Sequence, residues 1–161
     1  MGVRVQCEDF DVGAEVRRVC EGRTDIGAIV TFTGTVRGTS GGKPITRMTL
    51  EHYPGMTESE LARVEAEALA RWPLQASQIV HRVGALVPGD NIVLVVTASP
   101  HRHAAFAAAE FLMDYLKTSA PFWKKEEGTD GTASWVDARE SDDAALERWQ
   151  NGMGQAGKPD R

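Results

Sequence analysis

The sequence of 161 residues is poor in cysteine and lacks a long apolar run. Its two cysteines, Cys7 and Cys20, form neither a CxxC pair nor a zinc-ligand spacing, so we expect reduced thiols and no metal site built on them. No window reaches the ~18 consecutive apolar residues that a membrane span requires. Residues 1–11 are too charged for a secretory signal. These absences predict a soluble, cytoplasmic protein.

Basic residues are also in the minority, with 18 Lys and Arg against 23 Asp and Glu and a formal net charge of −5. A broad basic face for nucleic acid is therefore not expected, and any cationic site must be local. The chain is 42% hydrophobic, long enough for one buried core and too short for two ordinary domains. We predict a single domain over residues 1–150 and a polar, glycine-rich, disordered tail over residues 151–161.

Apolar periodicity alternates between the strand and helix patterns along the chain. Strands are predicted at residues 3–7, 26–37, 45–53, 78–86, 91–99, 121–127 and 132–138. Helices are predicted at residues 11–20, 57–72, 99–118 and 141–149, with Asp11 and Ser141 as N-caps, Thr57–Glu60 as a capping box and Pro100 in a first turn.

The glycine-rich segment 38–44 has the composition of a mobile loop. The predicted strands are mostly joined by hairpins, as at the turn 88–90, and the helices are interspersed between them rather than strictly alternating. This order favours an α+β fold with a mainly antiparallel sheet over a doubly wound fold.

The candidate functional residues are nearly all cationic. Arg37 ends a predicted strand, His101 and Arg102 lie at a helix start where free N–H groups favour anions, and Arg139 follows the last strand. Lys117 and Lys124 bracket the segment Pro-Phe-Trp. An ordinary role stays open for several of them, because strand-end arginines are often solvated and a lysine at a helix end is favoured by the helix dipole.

The motifs that the sequence lacks exclude several classes of catalytic site. The sequence has no catalytic carboxylate pair, nucleophile elbow, P-loop or GxGxxG motif. His101-x-His103 has no acidic or cysteine partner nearby, which disfavours a metal site. A lysine beside another cation in a partly dry pocket can act as a nucleophile or proton carrier. The pattern therefore indicates a small anionic substrate, such as a phosphate ester, handled by lysine rather than by metal.

A resemblance adds a specific hypothesis. Between about residues 25 and 149 the chain resembles the large, catalytic subunit of molybdopterin synthase, the MoaE family, in the segments FTGTVRG, LEHYPGM, HRVGALVPGD, SPHRHAAFAAAEFLMDYLKTSAPFWKKE and WVDARE. The resemblance implies an α/β-hammerhead fold and a sulfurtransferase that needs no cofactor. Such an enzyme converts cyclic pyranopterin monophosphate to molybdopterin with two sulfurs from the C-terminal Gly-Gly thiocarboxylate of a small ubiquitin-like subunit. The large subunit would form a homodimer within a heterotetramer.

The resemblance also implies roles for individual residues. Lys117 and Lys124 would be catalytic. The implied substrate-binding residues are Thr35, Val36, Arg37, His101, Arg102, Lys125, Glu126 and Arg139. Ser119 departs from the family, which often has a basic residue there, so one anion contact is expected to be missing.

The spacing along the long helix provides an independent argument for a dimer. Arg102 and Lys117 are fifteen residues apart, or about 22 Å along a straight helix. Both cannot readily reach one small ligand from the same helix, so a shared site should combine two subunits.

The sequence leaves two competing functions open. A non-catalytic adaptor for a ubiquitin-like protein would not need the cationic cluster, and a nucleic-acid binder would need a broad basic face.

Overall fold

The computed structural model describes residues 2–136 and 140–151. Within these ranges the helices are α1 (Val12–Cys20), α2 (Met56–Arg71), α3 (Arg102–Thr118) and α4 (Glu140–Gln150). The strands are β1 (Gly2–Gln6), β2 (Ala28–Thr35), β3 (Thr39–Ser40), β4 (Lys43–His52), β5 (Ala76–Arg82), β6 (Gly84–Leu86), β7 (Asn91–Ser99), β8 (Phe122–Gly128) and β9 (Ala133–Val136). Nearly all of the predicted elements are present.

The starts of α2 and α3 differ from the prediction. Helix α2 begins at Met56, and its cap is made by Glu58, whose Oε2 accepts a 2.7 Å hydrogen bond from Gly55 N. The expected capping box at Thr57 is therefore wrong, because the Thr57 hydroxyl is buried and bonded elsewhere. Helix α3 begins at Arg102 rather than Ser99, because Ser99 still pairs with Ala28 in the sheet and Pro100 precedes the first turn.

The two remaining predicted N-caps are Asp11 and Ser141, and only Asp11 is confirmed. The Asp11 side chain accepts a 2.8 Å hydrogen bond from Ala14 N, which confirms it as the N-cap of α1. Helix α4 includes Ser141 and begins one residue earlier, at Glu140. Of the predicted tail, residues 152–161 lie outside the described residues.

Segment 38–44, whose composition is typical of a mobile loop, contains a tight hairpin. Thr39 pairs with Pro44, and Ser40 pairs with Lys43. The two turn residues, Gly41 and Gly42, have φ values of 56° and 79°, in the region where a side chain would be strained. The two glycines therefore allow the chain to reverse its direction between β3 and β4.

The strands form two sheets. The first has the order β1-β5-β7-β2, in which only the β1–β5 pair is parallel, and the second has the order β3-β4-β8-β9 with β6 also paired to β4. The predicted hairpin of 78–86 with 91–99 is divided between them. Strand β5 pairs with β7, whereas the chain turns at Gly84, where φ is 92°, and β6 joins the second sheet. The mainly antiparallel arrangement is confirmed.

Strand β7 is buried on both faces, which explains its uninterrupted apolar sequence. Val93 and Val95 belong to the large core formed with α2 and α3, which also contains Leu61, Phe111 and Leu112. The intervening residues of β7 belong to a smaller core under α1, made of Phe10, Val80, Leu94 and Val96. In the described ranges, no helix is long and apolar enough to cross a membrane.

One aromatic contact joins the two sheets. His81, near the end of β5, stacks on Phe122, the first residue of β8, with ring centroids 3.8 Å apart and planes inclined by 16°. The His81 Nδ1–H donates a 2.8 Å hydrogen bond to the Arg82 carbonyl oxygen. Burial lowers the pKa of His81 to about 4, and the positive charge of Lys124 and the neighbouring His52 act in the same direction.

This buried histidine should make stability depend on pH. In the unfolded chain His81 has an ordinary pKa near 6.5. Between that pH and 4, the unfolded state therefore binds a proton that the folded state does not bind. This difference in pKa should contribute about 3 kcal/mol to the free energy of unfolding at pH 7. The contribution should be lost as the pH falls to 4. Urea unfolding of wild type and His81→Gln at several pH values measures it.

The variant should show a shallower loss of unfolding free energy between pH 7 and 4, whatever its stability at pH 7. The same substitution at His101, whose side chain is exposed, provides the control and should leave the pH dependence of wild type intact. Parallel curves for wild type and His81→Gln would mean that His81 titrates normally in the folded protein.

Candidate active site

A cavity of about 270 Å³ lies where the end of β2, the end of α3 and the start of β8 meet. Its polar lining includes Arg37, Lys117, Lys124, Glu126 and His81, and its apolar lining includes Phe32, Met113, Leu116 and Phe122. Three cations and one carboxylate thus surround a pocket with an apolar floor. Such a pocket favours an anion that also carries a flat or apolar group.

The chain between Lys117 and Lys124 is what brings these two lysines together. Lys117 lies in the last turn of α3, and the Tyr115 carbonyl oxygen then accepts hydrogen bonds from Ser119 N at 2.9 Å and Ala120 N at 3.2 Å. These bonds close the helix and turn the chain toward β8. Lys124 and Glu126 then occupy one face of that strand, because alternate residues of a strand share a face.

A buried hydroxyl fixes the position of this turn. Thr57 Oγ1 donates a 3.1 Å hydrogen bond to the Pro121 carbonyl oxygen and accepts a 3.0 Å bond from Tyr53 N. Thr57 has no exposed surface. The start of α2 therefore holds the segment that separates the two lysines.

Arg37 is held at the cavity by the residue before it. Val36 is buried, its N–H donates to the Asp90 carbonyl oxygen at 2.9 Å, and its own carbonyl oxygen accepts from Gly89 N at 2.8 Å. Thr35, Val36 and Arg37 all line the cavity. The turn 88–90 thus fixes the backbone of Arg37, whose side chain is exposed.

Other predicted site residues lie elsewhere. His101 and Arg102 are exposed at the opposite end of α3 and do not line the cavity. Lys125 pairs with Thr49 and Trp135 in the sheet and lies on the face of β8 opposite to Lys124. Arg139 lies outside the described residues. The structure thus brings together Thr35, Val36, Arg37, Lys117, Lys124 and Glu126.

Sequence reasoning did not identify His81 as a residue of this site. The available signal was a histidine directly after Ile79 and Val80 in β5, a pattern that is also typical of a buried structural histidine. Its place at the cavity depends on the contact between the two sheets, which no local pattern specifies. In the described ranges, no group of three or more His, Cys, Asp or Glu side chains is placed to hold a metal ion.

A second, open and mainly apolar groove of about 560 Å³ continues from the cavity along α3. The two share Phe32, Met113 and Lys117, and the groove extends to Phe106 near the start of the helix. Phe106 is 62% exposed on this groove. The groove therefore runs from Lys117 along α3 as far as Phe106, one turn short of Arg102.

Comparisons with known proteins agree with this architecture. The family model described as MoaE protein matches residues 5–119. The molybdopterin synthase catalytic subunit of Mesorhizobium japonicum is 55% identical over 150 residues, which cover 92% of this chain and 93% of that protein.

Solved structures give the same result. The molybdopterin biosynthesis MoaE protein from Burkholderia ambifaria has a TM-score of 0.78 and 54% identity, covering 92% of this chain and 97% of that one. The crystal structure of molybdopterin synthase from Staphylococcus aureus has a TM-score of 0.76 and 32% identity, covering 83% and 95%. These likenesses confirm the expected α/β-hammerhead type of fold. The chain belongs to the MoaE family.

Proposed function

We propose that this protein is the catalytic subunit of molybdopterin synthase. It converts cyclic pyranopterin monophosphate to molybdopterin, with sulfur from the thiocarboxylated C-terminus of a small ubiquitin-like subunit. The observation that carries the proposal is the cavity in which Lys117, Lys124 and Arg37 meet, in a chain that is 55% identical to a protein with this name. We propose that the reaction takes place in the cytoplasm.

Lys117 and Lys124 are the catalytic residues in this proposal. Both line one cavity, so two amino groups are available to one bound substrate. A neutral amine is a nucleophile and a proton acceptor, which are the two roles that sulfur transfer from a carboxyl-type carrier requires. Two cationic groups also attract the anionic end of the carrier's tail.

Arg37 binds the phosphate of the substrate, with Thr35, Val36 and Glu126 beside it. A guanidinium presents paired donors that match a phosphate. The two backbone hydrogen bonds between Val36 and the turn 88–90 hold the arginine backbone in place. Lys125 and Arg139 stay predicted substrate-binding residues. Lys125 does not line the cavity, and Arg139 lies outside the described residues.

His101 and Arg102 complete the site from a second copy of the chain. They lie at the far end of α3 from Lys117, and the apolar groove runs from Lys117 toward them as far as Phe106. Ile29, Phe32 and Phe106 are exposed along this region, with exposed fractions of 44%, 39% and 62%. Apolar surface of this kind marks an interface, and β2 is an edge strand of its sheet. These features support a homodimer with two symmetric sites.

The first experiment assays turnover. Wild-type protein, cyclic pyranopterin monophosphate and a thiocarboxylated carrier should yield the dithiolene product, whereas an adaptor would bind the carrier without forming product. Lys117→Ala should abolish product formation and leave the fold intact, because a helix-ending lysine contributes only about 0.3–1 kcal/mol to stability. Lys117→Arg should not restore turnover, since a guanidinium stays protonated.

Lys43→Ala is the matched control, because Lys43 lies at the start of β4 and does not line the cavity. It should turn over like wild type. Normal turnover in Lys117→Ala, with thermal unfolding confirming a folded variant, would remove Lys117 from the chemistry.

Phosphate binding is tested by neutralising one arginine at a time. Arg37→Ala and Arg102→Ala should each weaken substrate binding by roughly 1.5–3 kcal/mol, the strength of a charged hydrogen bond. Titration calorimetry with the substrate alone measures this loss. Arg17→Ala removes the same charge from the exposed face of α1 and should bind like wild type. Unchanged affinity in both test variants would contradict the assignment.

The two-subunit site is tested by mixing variants. Lys117→Ala and Arg102→Ala homodimers should each be nearly inactive. In a mixed dimer, one site collects both substitutions and the other collects neither. Refolding the two variants together at equal concentration yields about half mixed dimers, so activity should return to roughly a quarter of the wild-type value per site.

A site built within one subunit would carry one substitution at every copy, and mixing would restore no activity. Subunit exchange is verified separately by mass spectrometry of tagged chains. Each variant alone, taken through the same refolding, is the control for recovery of the fold.

A further inference from the structure

His81 lines the cavity but has no role in the function proposed above. Its side chain is buried, and its Nδ1 lies 2.8 Å from the Arg82 carbonyl oxygen. A carbonyl oxygen can only accept, so Nδ1 carries the ring proton. The second nitrogen, Nε2, therefore has a lone pair and acts as a hydrogen-bond acceptor.

The ring is fixed in place by Phe122. The two rings stack with centroids 3.8 Å apart, and Phe122 begins the strand that carries Lys124. Phe122 and Lys124 share one face of β8 and are about 7 Å apart along the strand. The flexible four-carbon stem of Lys124 can cover that distance to the imidazole. The charge of Lys124 also acts on the titration of His81, which indicates that the two groups are close.

The other groups near the ring fit the role less well. His52, on β4, has its Nε2 3.5 Å from Glu58 Oε1 and is thus directed toward α2. Glu126, which also lines the cavity, would bind an ammonium as an ion pair and would repel an anionic substrate. A neutral imidazole accepts an N–H without adding negative charge. It can therefore hold a lysine in a site that must also receive an anion.

We propose that His81 is the positioning residue of Lys124: its Nε2 accepts a hydrogen bond from the Lys124 amino group and holds that group at the cavity. The consequence for turnover rests on the proposed function, whereas the contact itself does not. His81 acts through Lys124 and needs no contact with the reacting atoms.

Two substitutions separate positioning from a structural role. The amide of His81→Gln reaches the place of Nε2 and keeps an acceptor there, whereas the amide of His81→Asn reaches the place of Nδ1 and keeps only the bond to the Arg82 carbonyl. If His81 positions Lys124, kcat of the Asn variant should fall roughly ten- to hundred-fold while KM for the carrier changes little, and Gln should restore most of the rate. A structural role predicts the reverse order, with Asn the milder change.

Nitrogen NMR tests the contact without any assay of function. In ¹⁵N-labelled protein at pH 7, the Nε2 resonance of His81 should have the shift of an unprotonated nitrogen and should move when Lys124→Met removes the donor. Lys125→Met, on the opposite face of the same strand, should leave it in place. An Nε2 resonance that is unaffected by Lys124→Met overturns the proposal. If wild type forms no product, the proposed function fails and this spectrum alone decides on His81.

Discussion

The site depends on one hydrogen bond, between the Thr57 hydroxyl and the Pro121 carbonyl oxygen. It joins the first turn of α2 to the short segment in which the chain leaves α3 and enters β8. Together with the pairing of β8 to β4, it fixes the path of the chain between Lys117 and Lys124. Because Thr57 is fully buried, breaking this bond would also leave a carbonyl group without its partner, at a cost of about 1–3 kcal/mol. The same hydrogen bond therefore contributes both to the stability of the fold and to the geometry of the site.

Much of the fold was predictable because its elements carry strong local patterns. The period of α3, the β-branched run of β2 and the glycines of the last hairpin each specify one structure. The errors occurred where tertiary contacts decide. Thr57 looks like a helix cap in sequence, but a partner sixty-four residues away binds its hydroxyl. Ser99 looks like a helix start, but the ladder to Ala28 keeps it in β7.

The candidate site was predictable only in part, for a similar reason. Lys117, Lys124 and Arg37 stood out as cations beside a proline, aromatic residues or a glycine-rich segment, and the cavity joins all three. His81 did not stand out, because its position reflects the stacking of one sheet against another. Lys125 was predicted to bind substrate beside the catalytic Lys124, but the alternation of a strand separates their side chains. The spacing on α3 did indicate, from sequence alone, that Arg102 and Lys117 cannot serve one site from one helix.

Strand β2 has a further consequence for the life of the protein in the cell. It lies at the end of its sheet, and its sequence AIVTFTGT contains no charged residue and no proline. Natural edge strands usually carry such residues, which discourage pairing with foreign strands. An isolated subunit would thus present a template for aggregation, and a newly made chain is exposed to that hazard until the edge is covered.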